Sequence, residues 1–322
     1  SILALLILAN GHPASAQPPD PPLTNWIRTV SWSPSGLHIA MIRQNGTVEI
    51  VDPISPEKSV VLSSTPAEAY QITWHPSGNQ VAAGIGESII IWDSSTGLVA
   101  ETIEGHLDAV SSVAWNPNGT RLLSTDQYGY PNIYVWNAQV SPPQLEFSLP
   151  TVIAYNATWS PDGSKFAIGG EQYVDVYSST GDFLELIEVD DAVMNVAWHP
   201  SDNDIIASAT AGGTVYILST HTWDILYTLV GHSDWVFGLA WNPDGNLLAS
   251  VGRDGIINIW TVDGQLIDTI DTGYGLYAVD WSPDGNWLAY GGEGDNETLH
   301  IIPAPTTATS DCMALESSRI IR

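Results

Sequence analysis

A short Trp-x-Pro-x-Gly sequence recurs along most of this chain, and its regular recurrence limits the possible folds more than any other feature. Seven copies are present, the fifth ending in Asp in place of Gly, and their tryptophans are Trp32, Trp74, Trp115, Trp159, Trp198, Trp241 and Trp281. Successive tryptophans lie 42, 41, 44, 39, 43 and 40 residues apart. Because self-similarity at a fixed period of this length indicates copies of one structural unit, the chain is predicted to be an array of seven similar units.

The unit is clearest from His221 to Gly264. Four apolar or alternating segments, ILYTLV, WVFGLAW, LLASV and IINIW, are separated there by Gly-His, Asn-Pro-Asp-Gly and Arg-Asp-Gly turn signals. This pattern predicts an antiparallel meander of four strands. A lone sheet leaves two faces and two edges uncovered, so the copies must pack on one another. The fold class predicted over residues 24–303 is therefore all-β, a seven-bladed β-propeller of four-stranded antiparallel blades.

These residues resemble the WD-repeat β-propeller family. Gly231-His232, the Trp-x-Pro-Asp-Gly hairpin and the closing Trp92-Asp93 carry the resemblance, which covers about residues 24–303. The family resemblance implies a structural tetrad of hydrogen-bonded side chains in the sixth unit, formed by His232, Ser250, Asp254 and Trp260.

Other units depart from the family pattern. His106, Ser124 and Trp136 match the tetrad in part, and Asp126 is expected to be displaced by an insertion around Tyr128-Gly-Tyr-Pro131. Units four, five and seven end in Val176-Tyr177, Ile217-Leu218 and Ile301-Ile302 where the family would place Trp. In this respect they resemble the repeats of TolB-type propellers equally well.

The segments outside the repeats are predicted to serve other purposes. Ile2 to Ala9 is an apolar run followed by Pro13-Ala-Ser-Ala16, so residues 1–16 are expected to be a signal-peptide remnant of a secreted or periplasmic protein. The alternative is that Leu5 to Leu8 forms a strand that closes the ring. Residues 17–23 are predicted to be a proline-rich linker and residues 304–322 a tail or linker. The outer strand of the last blade could come from Leu23-Thr24, from the apolar N-terminus or from Met313 to Glu316.

Composition limits the partners. The chain has 8 basic and 36 acidic residues, a formal net charge of −28. Such a surface repels phosphate backbones and anionic lipid headgroups, which argues against nucleic acid and against membrane insertion of the mature domain. The single cysteine, Cys312, excludes an intrachain disulfide. A monomeric ring without a cofactor is expected.

No catalytic signature was found. His232, Ser250 and Asp254 have the residue types of a hydrolase triad, but Ser250 lies within a predicted strand, so a structural role is favoured. A nucleophile elbow, a phosphate loop and a His-Glu-x-x-His helix are all missing from the sequence. Glu293-Gly-Asp-Asn-Glu297 could offer oxygens to calcium, but it lacks the rest of a loop signature and is interpreted as a hairpin tip. The protein is therefore predicted not to be an enzyme and to bind no metal.

Candidate binding residues emerge by counting back from each repeated tryptophan along the innermost strand. The residues two positions before it are all apolar: Val30, Ile72, Val113, Ala157, Val196, Leu239 and Val279. Positions two apart in a strand share a face, so the same face should continue at four and six before. The residues four before are Arg28, Tyr70, Ser111, Tyr155, Met194, Phe237 and Tyr277, and those six before are Trp26, Glu68, Ala109, Ile153, Ala192, Trp235 and Gly275. These two rows are expected to line the mouth of the ring.

In WD-repeat proteins the corresponding rows contact partners on the upper face, and here they are rich in aromatic residues. The resemblance therefore implies a non-catalytic scaffold that captures a protein or peptide on that face. The predicted partner-binding residues are Trp26, Arg28, Tyr70, Tyr155, Met194, Trp235, Phe237, Arg253 and Tyr277. Three alternatives stay open: channel filling by Tyr70, Tyr155 and Tyr277, a carbohydrate-binding propeller, and the propeller domain of a larger multidomain enzyme.

Overall fold

A computed structural model of the chain describes residues 25–55, 58–63, 68–126, 128–130, 132–151, 153–293, 298–305 and 319–321. Its regular elements are β-strands, which form seven four-stranded antiparallel sheets. The predicted fold class, an all-β propeller with seven blades, is confirmed.

Each blade is a meander of four consecutive strands, the first of which is innermost. The first three blades are β1 (Ile27–Trp32), β2 (Ile39–Arg43), β3 (Val48–Val51) and β4 (Val60–Ser63); β5 (Ala69–Trp74), β6 (Gln80–Ile85), β7 (Ser88–Asp93) and β8 (Val99–Ile103); and β9 (Val110–Trp115), β10 (Arg121–Asp126), β11 (Ile133–Asn137) and β12 (Gln144–Leu149). The fourth and fifth are β13 (Asn156–Trp159), β14 (Lys165–Gly169), β15 (Tyr173–Ser178) and β16 (Phe183–Glu188); and β17 (Val193–Trp198), β18 (Ile205–Thr210), β19 (Thr214–Ser219) and β20 (Ile225–Val230). The sixth and seventh are β21 (Val236–Trp241), β22 (Leu247–Gly252), β23 (Ile256–Thr261) and β24 (Leu266–Asp271); and β25 (Leu276–Trp281), β26 (Trp287–Gly292), β27 (Leu299–Pro303) and β28 (Arg319–Ile321).

The core of the propeller lies between the blades. Seven apolar clusters join neighbouring blades in turn, and the one that closes the ring packs Ala278, Leu299 and Ile301 of the seventh blade against Ile27 and Val30 of the first. The apolar row two residues before each repeated tryptophan is buried in all seven blades, as the alternation predicts. Because a blade buries both faces against its neighbours, removal of a blade would expose two apolar surfaces at once.

The repeated tryptophan also links blades through its indole. The Nε1–H of Trp74 donates to the backbone oxygen of Ser31 in the preceding blade over 2.9 Å, and that of Trp281 to Ala240 over 3.0 Å. Trp159 and Trp241 make the corresponding bonds to Ala114 and Ala197. In these four blades the sequence anchor is therefore also an inter-blade contact, whereas the indole nitrogens of Trp32, Trp115 and Trp198 are buried without a hydrogen-bond partner among the described residues.

A carboxylate bonds the last blade to the first. One oxygen of Asp280 on β25 accepts the Trp32 N–H of β1 over 2.7 Å, and the other accepts the Trp281 N–H over 2.9 Å. Burial raises the pKa of Asp280 to about 7. The ring is thus joined at this interface by apolar packing and by one titratable group.

The outer strand of the seventh blade comes from the C-terminal segment. Leu299, His300 and Ile301 of β27 pair with Ile321, Ile320 and Arg319 of β28. The sequence predicts a tail over this stretch, with Met313 to Glu316 as one possible source of the strand, whereas β28 begins three residues after Glu316. A three-residue edge strand needs too little alternation to be visible in the sequence.

The proposed signal-peptide remnant, the proline-rich linker, Leu23-Thr24 and Met313 to Glu316 all lie outside the described residues. Within the part of the chain that the structure describes, no helix is long and apolar enough to span a bilayer.

Candidate partner-binding site

A β-bulge interrupts the inner strand four residues before the repeated tryptophan. In β1 the pairing passes from Ile27 with Arg43 to Thr29 with Ile42, so the ladder skips Arg28. The pairing of the other inner strands likewise skips Ser111, Met194, Phe237 and Tyr277, and in β5 the shift spans Tyr70 and its neighbour Gln71. A bulge inserts one extra residue and redirects its side chain.

The bulge corrects one step of the sequence analysis. Unbroken alternation was expected to carry the buried face outward to the four-before row, but the inserted residue breaks that alternation. All seven members of the row are half buried, whereas the residue just before each of them is buried. The row does leave the packed core, and a bulge turns it out in six of the blades, while in the fourth blade Tyr155 precedes a strand whose ladder is regular.

Six predicted residues form a continuous series of contacts, which we call the aromatic rim. Trp26 stacks on Tyr277 with ring centroids 4.1 Å apart, Tyr277 stacks on Phe237 at 4.6 Å, and Phe237 contacts Trp235 at 5.7 Å. The guanidinium carbon of Arg28 lies 5.4 Å from the ring centroid of Trp26 and 4.5 Å from that of Tyr70. The aromatic rim therefore spans the sixth, seventh, first and second blades, and it consists of Trp26, Arg28, Tyr70, Trp235, Phe237 and Tyr277.

Polar partners hold the rim in place. The Nε–H of Arg28 donates to Gln44 over 3.2 Å, and the Tyr70 hydroxyl donates to Glu68 over 3.0 Å. The Tyr277 hydroxyl donates to Glu293 over 2.5 Å. Burial, and secondly the nearby Glu68, raise the pKa of Tyr70 to about 12, and burial also raises the pKa of Tyr277. Both phenols therefore remain protonated donors at neutral pH.

Arg253 adds a second positive charge at this site. Its backbone N–H donates to the Trp235 carbonyl over 2.8 Å, and the residue is exposed. The positive charges of Arg253 and then Arg28 oppose the rise in the pKa of Tyr277. With Glu68 and Glu293 nearby, the site combines two arginines with two glutamates on a chain whose net charge is −28.

Tyr155 and Met194 belong to a different part of the ring. They are the half-buried members of the four-before row in the fourth and fifth blades, and the backbone N–H of Tyr155 donates to Gly169. The predicted set thus divides into the aromatic rim with Arg253, and these two residues on other blades.

The supporting residues were not selected from the sequence. Glu68 stood in the six-before row, but only the aromatic members of that row were chosen. Glu293 was considered solely as a calcium ligand, and the rest of that segment, residues 294–297, lies outside the described residues. Gln44 follows β2 in a turn, and no pattern in the sequence marks it.

The implied tetrad is present in the sixth blade. His232 Nδ1 lies 3.0 Å from Asp254 Oδ2, and His232 Nε2 lies 2.8 Å from Ser250 Oγ. The Trp260 indole N–H donates to the same Ser250 Oγ over 2.8 Å. A buried hydroxyl engaged on both sides in this way cannot reach a substrate, so these hydrolase-type residues act structurally.

The third blade contains a second complete network, where the sequence indicated a partial one. His106 Nδ1 lies 3.1 Å from Asp126 Oδ2, His106 Nε2 lies 2.8 Å from Ser124 Oγ, and the Trp136 indole donates to Ser124 over 2.8 Å. Asp126 was expected to be displaced by the insertion that follows it. Asp126 lies at the end of β10, only two residues after Ser124, and its carboxylate nevertheless reaches the histidine.

The two histidines that follow a repeated tryptophan connect neighbouring blades. His75 Nε2 lies 3.1 Å from the Gly119 carbonyl of the next blade, and His199 Nε2 lies 3.0 Å from that of Gly245. Among the described residues, no group of three or more His, Cys, Asp or Glu side chains is arranged to hold a metal ion.

Sequence comparisons agree with this architecture. The family model "WD domain, G-beta repeat" matches residues 97–137, 223–261 and 264–302, the last of which includes the blade that ends in Ile301-Ile302. The chain is 24% identical over 208 residues to THO complex subunit 3 of Arabidopsis thaliana, covering 62% of this chain and 64% of that protein. It is 24% identical over 242 residues to Protein FIZZY-RELATED 1 of the same plant, covering 73% and 50%.

A shorter match is closer in sequence. Anaphase-promoting complex subunit cdc20 of Dictyostelium discoideum is 34% identical over 149 residues, covering 42% of this chain and 28% of that protein. Across six other relatives the matched region covers 49% to 64% of the relative, so the chain spans about half of their length. Seven blades, two tetrads and three matched repeats together make this chain similar to the WD-repeat β-propeller family.

Proposed function

We propose that this protein is a non-catalytic binding scaffold whose aromatic rim captures a segment of a protein partner. The observation that carries the proposal is the unbroken series of contacts from Trp235 through Tyr277 to Tyr70 across four neighbouring blades. Large, rigid aromatic side chains and arginine dominate the energetics of protein interfaces, because they bury much area for little lost rotamer entropy. A half-buried row of this kind, held by polar partners, is pre-organised for binding.

The charge distribution favours a segment with little net negative charge. Most of the chain repels anions, since its net charge is −28. At the rim, Arg28 and Arg253 balance Glu68 and Glu293. A peptide with apolar or aromatic side chains and mixed polar groups therefore meets the least repulsion there.

The names of the relatives support an assembly role. THO complex subunit 3 and Anaphase-promoting complex subunit cdc20 are both named as subunits of complexes. The proposal extends that role to this chain as a scaffold with one binding face.

The test is capture of partners from the native source with the full chain as bait. Trp235→Ala and Tyr277→Ala should each weaken capture by about 30-fold or more, as expected for central interface residues. The matched control is Tyr155→Ala, because Tyr155 occupies the same row on the fourth blade outside the rim. It should change affinity by less than about threefold.

Other results would redirect the assignment. Equal capture by the wild type and both rim variants, with thermal unfolding unchanged, would show that the rings only fill the channel. Binding on a glycan array that Trp235→Ala abolishes would favour the carbohydrate alternative. An equal loss in Tyr155→Ala would extend the site around the whole ring.

The protein is also proposed to be exported. The apolar run from Ile2 to Ala9 and the small residues that follow it support this assignment. Fractionation of the native source and N-terminal sequencing should recover a mature chain that begins near Gln17 outside the cytoplasm. Recovery of the uncleaved segment in the cytoplasm would contradict it.

A further inference from the structure

A cleft opens between the third and fourth blades, which do not contribute to the aromatic rim. Its volume is 590 Å³. Its walls include five aromatic rings with one carboxylate among them: Tyr128, Tyr130, Tyr173, Tyr177, Phe183 and Asp175. The proposed function assigns no role to this cleft.

The carboxylate lacks a full set of hydrogen-bond partners. Asp175 is only 5% exposed, and its Oδ2 accepts the Thr151 hydroxyl over 3.2 Å. Its Oδ1 accepts no hydrogen bond of normal geometry among the described residues, and the Tyr177 hydroxyl is close enough to the carboxylate to lower its pKa against the larger, opposite effect of burial. A buried carboxylate oxygen without a donor is costly, so this atom is set to receive a donor from a ligand.

The aromatic walls are unusually exposed. Tyr130 is 74% exposed, Phe183 55% and Tyr128 54%. Aromatic rings present a negative face, which attracts cations, and a carboxylate beside them strengthens that attraction. Asp108 and Glu171 are close enough to Tyr128 to raise the pKa of its phenol after the larger effect of burial, so the surroundings are also negative.

Two polar contacts fix the walls. The Gly129 N–H, between the two exposed tyrosines, donates to Asp126 Oδ1 over 2.8 Å. The Thr151 N–H donates to Asn132 Oδ1 over 2.8 Å. Asp126, the aspartate of the third-blade tetrad, therefore holds the backbone between Tyr128 and Tyr130. Asn132 holds Thr151, which in turn bonds to Asp175. These two contacts fix the positions of Gly129 and Thr151 in the wall of the cleft.

We infer that this cleft binds an alkylammonium group that keeps at least one N–H, as on a lysine side chain of a partner. The ammonium donates to Asp175 Oδ1, and the alkyl stem lies between the rings of Tyr130 and Phe183. A positively charged donor supplies the missing hydrogen bond to Asp175 and also neutralises the carboxylate, whereas a neutral hydroxyl would supply only the hydrogen bond.

The test is titration of the purified full chain with acetyl-Gly-Lys-Gly-amide, followed by ligand-observed NMR. The norleucine analogue of that peptide has the same stem without the charge, and it should bind at least about tenfold more weakly. Asp175→Asn keeps the shape of the side chain and should cost at least about tenfold in affinity. Tyr130→Ala should cost a factor of about three to ten.

The controls separate this site from the rest of the surface. Tyr227→Ala removes an exposed tyrosine, 41% exposed, from the outer strand of the fifth blade, and should leave lysine binding unchanged. Trp235→Ala should also leave it unchanged, so the cleft and the rim can fail independently.

Three results would overturn the inference. These are equal binding of the norleucine peptide, unchanged binding in Asp175→Asn, and tighter binding of a trimethyl-lysine peptide, which has no N–H to donate. If Asp175→Asn fails to fold, Tyr130→Ala decides the question, because so exposed a side chain can be removed without disturbing the core.

Discussion

The sixth and third blades build the same hydrogen-bonded network from different sequence spacings. In the sixth, Asp254 lies four residues after Ser250, in the turn between β22 and β23. In the third, Asp126 lies two residues after Ser124, at the end of β10. The distances from histidine to serine are nevertheless the same, 2.8 Å in both blades. The network is therefore defined by where the carboxylate lies in space, and aspartates at two different spacings from the serine can reach the histidine.

The two aspartates differ in what else they hold. Asp254 Oδ1 accepts the Ile256 N–H over 3.1 Å and so closes its own hairpin turn. Asp126 Oδ1 accepts the Gly129 N–H and so fixes a loop that forms one wall of the cleft. Asp126 is also completely buried, whereas Asp254 is partly exposed. The third-blade network therefore stabilises the blade and also positions the Gly129 backbone in the wall of the cleft.

The largest predicted effect separates these two residues. Asp126→Ala should lower the free energy of unfolding by about 3 kcal/mol, because it leaves the buried ring of His106 without its partner and removes the acceptor of the Leu107 and Gly129 N–H groups. Asp254→Ala should cost about 2 kcal/mol, since water can reach the turn in its place. Urea unfolding of both variants measures the difference. Equal costs would mean that the deeper burial of Asp126 has no energetic consequence.

Much of the fold could be predicted because it repeats. Seven tryptophans at a near-constant period indicate seven units, and the apolar residue two before each of them is buried as alternation requires. The second complete tetrad was missed for a local reason. Asp126 has the wrong spacing from Ser124, and nothing in composition or periodicity shows that its carboxylate still reaches His106.

The candidate site was predictable in part for the same reason. The row four before each tryptophan could be counted from the repeat, so Arg28, Phe237 and Tyr277 were chosen. Their contacts depend on bulges and on Gln44 and Glu293, which lie far from them in the chain. The cleft at Asp175 had no repeat to reveal it, because its walls come from one insertion and two neighbouring blades.

A third carboxylate, that of Asp280, differs from these two because it has no histidine partner. Asp280 accepts two backbone N–H groups, and burial raises its pKa to about 7, above the ordinary value of 3.8. Between those two pH values the folded protein keeps a proton that the unfolded chain releases. The free energy of unfolding should therefore decrease as the pH rises from about 4 to about 7, by at most about 1.4 kcal/mol per pH unit from this group.

Asp280→Asn is the matched test of that slope. The amide cannot ionise, so urea unfolding across this pH range should lose the part of the slope that Asp280 contributes. The variant retains one acceptor oxygen for the N–H groups of Trp32 and Trp281. An unchanged slope in Asp280→Asn would assign the pH dependence to other groups.

The smallest predicted effect lies in the fifth blade, which keeps the serine of the network without its partners. Ser208 pairs with Tyr216 across the sheet as Ser250 pairs with Asn258, and Leu218 occupies the place of Trp260. The Ser208 hydroxyl is completely buried and has no hydrogen-bond partner among the described residues. Ser208→Ala should therefore leave the free energy of unfolding unchanged or raise it by about 0.5 kcal/mol, because it removes an unsatisfied buried group.

The same substitution should act in the opposite direction in the sixth blade. Ser250→Ala leaves the ring nitrogen of His232 and the indole N–H of Trp260 without their shared partner, and should cost at least about 1 kcal/mol. The two variants remove one oxygen atom each from equivalent positions, so the difference between them isolates the value of the network from that of the buried site. Equal destabilisation in both would mean that packing around the hydroxyl, and not the tetrad, sets the cost.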